Sequence, residues 1–172
     1  LATETDAQQL DEALRLREAV ERAKITLSTL PTATEDAPYR GRSLRIHLAR
    51  TRADVPPQGG PWVVLDEALA PLLANFRAQL EWALRDAHVK PAEIDHVLLV
   101  GGPMHMPCVR QVIADVMAGN ERVCAALAQI DAQGFAVDPM TTVARGAALY
   151  ASGLVDLPGV QLPFDYGLGY QI

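Results

Sequence analysis

Two groups of residues could do chemistry in this sequence. The first is Gly101-Gly102, set between the apolar run HVLLV and the stretch PMHMPCVRQVIADVM. A small-residue turn at the carboxyl end of a buried strand is where α/β sheets bind ligands. Two glycines let the backbone approach a ligand closely, and their N–H groups can face a phosphate or a ribose. Many such turns use glycine only for tight geometry, so the pair alone does not decide. The second group is Glu21, Lys24 and Ser28. Steps of three and four put a carboxylate, an ammonium and a hydroxyl on one helical face. Taken alone, that face is also what an exposed Glu–Lys pair looks like, worth roughly 0.2–0.5 kcal/mol.

Other candidates are poorer. Cys108, Cys124, His96 and His105 lack paired metal-ligand spacing, so no metal site is expected. Asp66-Glu67 and Glu93/Asp95 read more simply as helix capping and solvated turns than as acid–base pairs. No serine sits in a nucleophile-elbow pattern. Met104, Met106 and Met140 suit an adaptable pocket wall or ordinary packing equally well. No catalytic residue is assigned.

The elements that must hold these groups are legible. Residues 6–28 read as a helix, with Asp6 as its N-cap and an apolar face of Leu10, Leu14, Val20 and Leu27 supported by Ala13 and Ala23. The Pro31 region ends it. Residues 43–49 alternate, with Leu44, Ile46 and Leu48 on one side, as a half-buried strand does. DVPPQGGP is a turn-rich connection, and residues 62–65 form a short apolar strand. Asp66 should cap a helix running to about Ala87. After a Lys90-Pro91 break, residues 96–100 read as a strand covered on both faces. Pro107 suits a helix's first turn. Residues 121–130 form another helix. Asp138-Pro139 should open a last one that stops at Gly153.

Composition sets outer bounds. The chain has 172 residues, 49% hydrophobic and 21% charged, which is globular. A net charge of -6 offers no basic face for nucleic acid. No apolar run approaches the ~20 residues that span a bilayer, and scattered Lys and Arg argue against a membrane-surface helix. No charged-then-apolar leader is visible, and Leu1 rather than Met stands first, so the chain reads as a piece of something longer. Two cysteines are too few for a disulfide scaffold and suit a reducing, cytoplasmic setting.

Four segments taken in order carry a family resemblance. VLLVGGPMHMP resembles the adenosine motif of DnaK-like chaperones, the seventy-kilodalton heat-shock family, whose usual form is Val-Leu-Val-Gly-Gly-Ser-Thr-Arg-Ile-Pro. LREAVERAKITLSTL looks like that family's adenine-lining helix, and LEWALRDAHVKPAEIDHVLLVGG is similar to its long helix, turn and strand. VDPMTTVARGAALYAS resembles the family's Asn-Pro-Asp-Glu-Ala-Val-Ala-x-Gly-Ala-Ala helix. The tail VQLPFDYGLGYQI resembles the interdomain linker and first strand of the substrate-binding domain. The order of all four is far more specific than any one.

The resemblance implies an α/β fold: part of lobe II of an actin-like ATPase domain, a ribonuclease-H-like sheet flanked by helices plus a helix-and-short-strand subdomain. It divides the chain into residues 1–68, that subdomain; 69–153, the α/β subdomain with the adenosine motif; and 154–172, linker and the start of a substrate-binding domain. The implied cofactor is ATP or ADP, with Mg in the complete protein. Glu21, Lys24 and Ser28 fall where the family's helix touches adenine and ribose, a face on which the carboxylate and ammonium can bond ribose hydroxyls and Ser28 a base nitrogen. Gly101 and Gly102 fall at its nucleotide-contacting glycines. His105 stands where the family has an arginine packed on adenine. A neutral imidazole loses the cation–π attraction of about 0.5–2 kcal/mol. Pro103 removes a serine hydroxyl and a backbone donor, and Met140 replaces an aspartate.

Nothing here matches the family's phosphate loops, metal-associated aspartates or phosphate-contacting lysine. The chain alone is therefore expected not to hydrolyse ATP, while the parent is expected to be an ATPase chaperone with unfolded polypeptide clients and co-chaperones. Two alternatives stand beside this: a lobe of an actin-like sugar or metabolite kinase, and a degenerate interaction module without nucleotide.

Overall fold

The computed structural model describes residues 4–57 and 61–155, so most of the expected linker lies outside the described residues. Helix α1 (Glu4–Leu27) leads into a hairpin of β1 (Thr32–Tyr39) and β2 (Arg42–Ala49). A short β3 (Trp62–Val64) runs directly into α2 (Leu65–Asp86). Helices α3 (Pro107–Val116), α4 (Glu121–Gln133) and α5 (Thr142–Ala151) follow. The sheet has the order β1-β2-β3, antiparallel in the first pair and parallel in the second.

The contact between α1 and the sheet is made of small residues. Ala19, Ala23 and Leu27, four apart on one stripe, are all 0% exposed, and Ala33 and Ala37 of β1 are buried. Alanine lets helix and sheet approach closely, and the larger Leu27 closes the end of the stripe with Leu48 and Leu65. Full burial of a leucine is worth about 1.5–3 kcal/mol. The expected apolar face of α1 is therefore only partly right. Leu10, Leu14 and Val20 are exposed, because the alanines hold the buried side. The helix also starts at Glu4, before the expected N-cap Asp6.

The hairpin tip is Arg40-Gly41, with φ of 50° and 70°. Two successive positive φ values are what a tight hairpin turn needs. The Glu12 carboxylate of α1 accepts from both turn amides, Arg40 N at 2.8 Å and Gly41 N at 3.2 Å. Pro38 is tolerated because β1 lies at the sheet edge.

A second cluster gathers Leu99, Ile113, Met117, Val123 and Leu127, with Phe76, Leu80 and Leu84 of α2 packed against it. Asn120 joins its parts. Its Oδ1 accepts from Val123 N at 3.0 Å and caps α4, while its Nδ2 donates to the carbonyls of Pro91 and Ile94, each at 2.8 Å.

Four expectations are corrected. Residues 96–100 join no β-ladder, and only Leu99 of them is buried; Leu98 is 75% exposed and Val100 40%. No neighbouring strand covers them among the described residues. Leu44 is exposed too, near the hairpin tip and away from Leu48. Asp66 is not the cap of α2; Val64, two residues earlier, holds that position, and the helix begins at Leu65. Asp138 does not cap α5 either. It folds a turn, accepting from Met140 N at 2.9 Å, and Thr141 takes the cap position.

Candidate functional site

Gly101 has φ 91° and ψ 161°, a conformation open to glycine and costly for other residues. It lets the chain leave residue 100 and enter a 3-10 turn, Gly102–His105, that feeds α3 at Pro107. Gly101 N donates to Pro139 O at 3.0 Å, which ties this turn to the one before α5. A Cβ placed on Gly102 would lie 3.3 Å from Met140 Sδ, so Met140 borders the turn at its second glycine.

The turn delivers His105. Its Nε2 lies 3.1 Å from Asp138 Oδ1, and the ring meets Phe135 edge-on with centroids 4.9 Å apart. The Met140 backbone N–H holds the Asp138 carboxyl below the usual carboxylate range; burial opposes this, and the His105 bond reinforces it. Asp138 is thus an acceptor at neutral pH, and His105 donates through Nε2.

On α1, Lys24 Nζ and Glu21 Oε2 are 2.6 Å apart, both partly open to solvent. Ser28 Oγ donates to the Lys24 carbonyl at 3.3 Å. Arg50 closes this end of the helix, donating from Nε to Leu27 O at 2.9 Å and from Nη2 to Leu30 O at 2.8 Å.

Ser28 and His105 share one cavity of about 420 Å³, whose walls include Thr29, Arg50, Arg110 and Phe135. Glu21 and Lys24 stand outside it, on α1, which ends just before Ser28. Gly101 and Gly102 also stand outside it, on the turn that carries His105. Another cavity of about 420 Å³, between the end of α2 and α3, contains none of the expected positions. Arg50, Arg110 and Phe135 were missed by sequence reasoning. Each lies outside the quoted motifs or inside one with no polar periodicity to flag it. Among the described residues, no group of three or more His, Cys, Asp or Glu could hold a metal ion.

A sequence model of the family described as Hsp70 protein matches residues 2–158. The chain belongs to the Hsp70 family. Chaperone protein DnaK of Cenarchaeum symbiosum is 33% identical over 143 residues, 80% of this chain and 18% of the relative. DnaK of Thermus thermophilus is 35% identical over 147 residues, 82% of this chain and 20% of the relative. DnaK of Methanothermobacter thermautotrophicus is 33% identical over 153 residues, 87% of this chain and 22% of the relative. This Hsp70 chain thus spans about a fifth of the length of these relatives, and it is a divergent member. Its mixed α/β fold, a three-stranded sheet with five α-helices among the described residues, is part of the Hsp70 ATPase domain. No described helix is long and apolar enough to cross a membrane.

Proposed function

We propose that this chain is the adenosine-side half of the nucleotide site of a DnaK-like chaperone. Glu21 and Lys24 serve the ribose, Ser28 the base, Gly101 and Gly102 the close backbone approach, and His105 the base face. One observation carries the reading: Ser28, at the end of α1, and His105, at the end of the glycine turn, line the same cavity. Its size suits a nucleoside, since small-molecule sites run from roughly 300 to 1,000 Å³. The hydroxyl protons of Ser28 and Thr29 are spent on the carbonyls of Lys24 and Thr26, so their oxygens can accept from a heterocycle. The Arg50 N–H groups left over from Leu27 and Leu30 can donate to it, and the two rings offer apolar contact.

Catalysis of phosphoryl transfer is positioning and electrostatics around phosphate and metal. The described residues do not fit a metal ion, so no metal step is assigned to them. The phosphate loops and the Mg²⁺ site belong to the rest of the parent protein. The same holds for the sheet partners of residues 96–100, for client polypeptides and for co-chaperones. A cytoplasmic chaperone ATPase is the whole that this half-site suits. Residues 1–68 and 69–153 act as its two subdomains, around the Leu27 and Leu99 clusters, and 154–172 as the interdomain linker and the start of a substrate-binding domain.

A second reading is favoured by one observation. Met140 Sδ crowds the face of Gly102, and Pro103 offers no N–H to a ligand. A site so narrowed suits a binding module that has lost nucleotide. Calorimetric titration of ADP into the full-length protein separates the two. Heat that saturates below millimolar ADP, and weakens about tenfold in S28A, supports the nucleotide site. No heat at millimolar ADP supports the module. The purified 172-residue chain alone should show no Mg²⁺-dependent ATP hydrolysis.

A further inference from the structure

Helix α4 closes on Gly134, with φ 83°, and the next residue, Phe135, packs against His105. The two rings stand at 65°, so they form a corner, and both line the cavity that Ser28 enters. Behind the corner lies Arg110 of α3, whose side chain is only 7% exposed. Its guanidinium sits over the Phe135 ring at 5.4 Å, donates from Nε to Asp131 Oδ1 at 2.8 Å, and donates from Nη1 to Met104 O at 2.7 Å. A buried guanidinium is costly unless its donors are matched. Here the matching partners are a carboxylate of α4 and a carbonyl in the very turn that ends at His105. One cation therefore fixes both rings relative to each other. Anchoring α4 to α3 explains the Arg110–Asp131 pair. It does not explain why two aromatic rings are left partly open on the same cavity.

We propose that Phe135 is a ligand-contacting residue that selects the base, and that Arg110, held by Asp131, is the positioning residue for the Phe135–His105 corner. The inference rests on the nucleoside reading above. Aromatic groups favour stacked and edge-to-face arrangements. A flat bicycle lying on one ring presents its edge to the other, whereas a single ring reaches only one of them. The corner thus prefers purine over pyrimidine nucleotides. Base-on-aromatic contacts removed by mutation weaken binding by roughly 5- to 100-fold.

The test is calorimetry on the full-length protein with ADP, GDP, CDP and UDP, comparing wild type with F135L and F135Y. Leucine keeps apolar volume without the ring; tyrosine keeps the ring. F135L should bind ADP about tenfold more weakly and narrow the purine-over-pyrimidine ratio, and F135Y should keep that ratio. If F135L does not fold, D131N, at a half-exposed carboxylate, takes its place and should narrow the ratio by loosening Arg110. Wild-type affinities and ratio in the replaced variant, with ADP binding intact, overturn this proposal alone. No heat from wild type with any of the four nucleotides overturns it together with the nucleoside reading.

Discussion

The Asp66 carboxylate and the Cys108 thiol stand side by side, one on the first turn of α2 and the other on the first turn of α3. The first turn of a helix ordinarily pulls a thiol's pKa down. Here burial pushes the Cys108 thiol up to about 11, and the neighbouring Asp66 charge adds to it. At pH 8 only about one such thiol in a thousand is ionised, and the thiolate is the reactive form. Iodoacetamide followed by mass spectrometry should find Cys108 labelled about a hundredfold more slowly than a free cysteine. D66N should speed the labelling. Rapid alkylation of Cys108 in the folded wild type would contradict the arrangement.

Asp66 itself has a pH signature. Burial raises its pKa above the ordinary 3.8, and its Oδ1 is buried without a hydrogen-bond partner. The folded chain therefore holds this proton to higher pH than the unfolded chain does. As pH rises through 3.8 the unfolded state releases its proton first, so this group's contribution to stability falls until the folded carboxyl has ionised too. D66N should melt higher than wild type at pH 7 and level with it below the ordinary carboxylate value. Thermal scans at the two pH values decide, and a D66N variant less stable at pH 7 would count against the account.

Asn120 is 7% exposed and makes one capping and two bridging hydrogen bonds. N120A loses the α4 cap, about 1 kcal/mol, and leaves two carbonyls short of a donor, about 1 kcal/mol each. The sum of about 3 kcal/mol should appear in urea denaturation as a lower midpoint with unchanged slope. N120D keeps the capping oxygen and should recover about a third of it.

Glycine at 41 is required by the backbone, not by space. Its φ is 70°, and an added Cβ would meet nothing within 4 Å. G41A should thus cost about 1 kcal/mol through conformation alone. E12Q should weaken the same tip by a similar amount, because a charged acceptor on two amides becomes a neutral one. A double-mutant cycle should show coupling, since both changes act on the same two N–H groups.

How much of this was readable in advance follows from particular residues. α2 and α4 were legible because apolar residues recur on one face, and α3 because Pro107 marks its start. β1 was not, since TATEDAPY buries only Ala33 and Ala37, and small residues leave little hydropathy signal. Residues 96–100 carry a strand pattern, yet a strand needs a partner, and none pairs with them among the described residues. Asp66 and Asp138 fit capping statistics, but one is held beside a thiol and the other spends its oxygen on Met140 and His105. Glu21, Lys24 and Ser28 shared a face as their spacing required. The meeting of Ser28 with His105, and of Arg110 with Asp131 and Phe135, spans too many residues for any local pattern to announce.

The bond from Gly101 N to Pro139 O has a mechanical side. No residue of α5 is buried, so that helix is held weakly along its length. Pro139, by contrast, is enclosed, and it sits just ahead of α5. The arrangement is a latch: a loosely seated lever is bolted at one end to the glycine turn that leads to His105. Deuterium uptake by the Gly101 amide gauges whether the bolt is closed, because that N–H is the donor to Pro139 O.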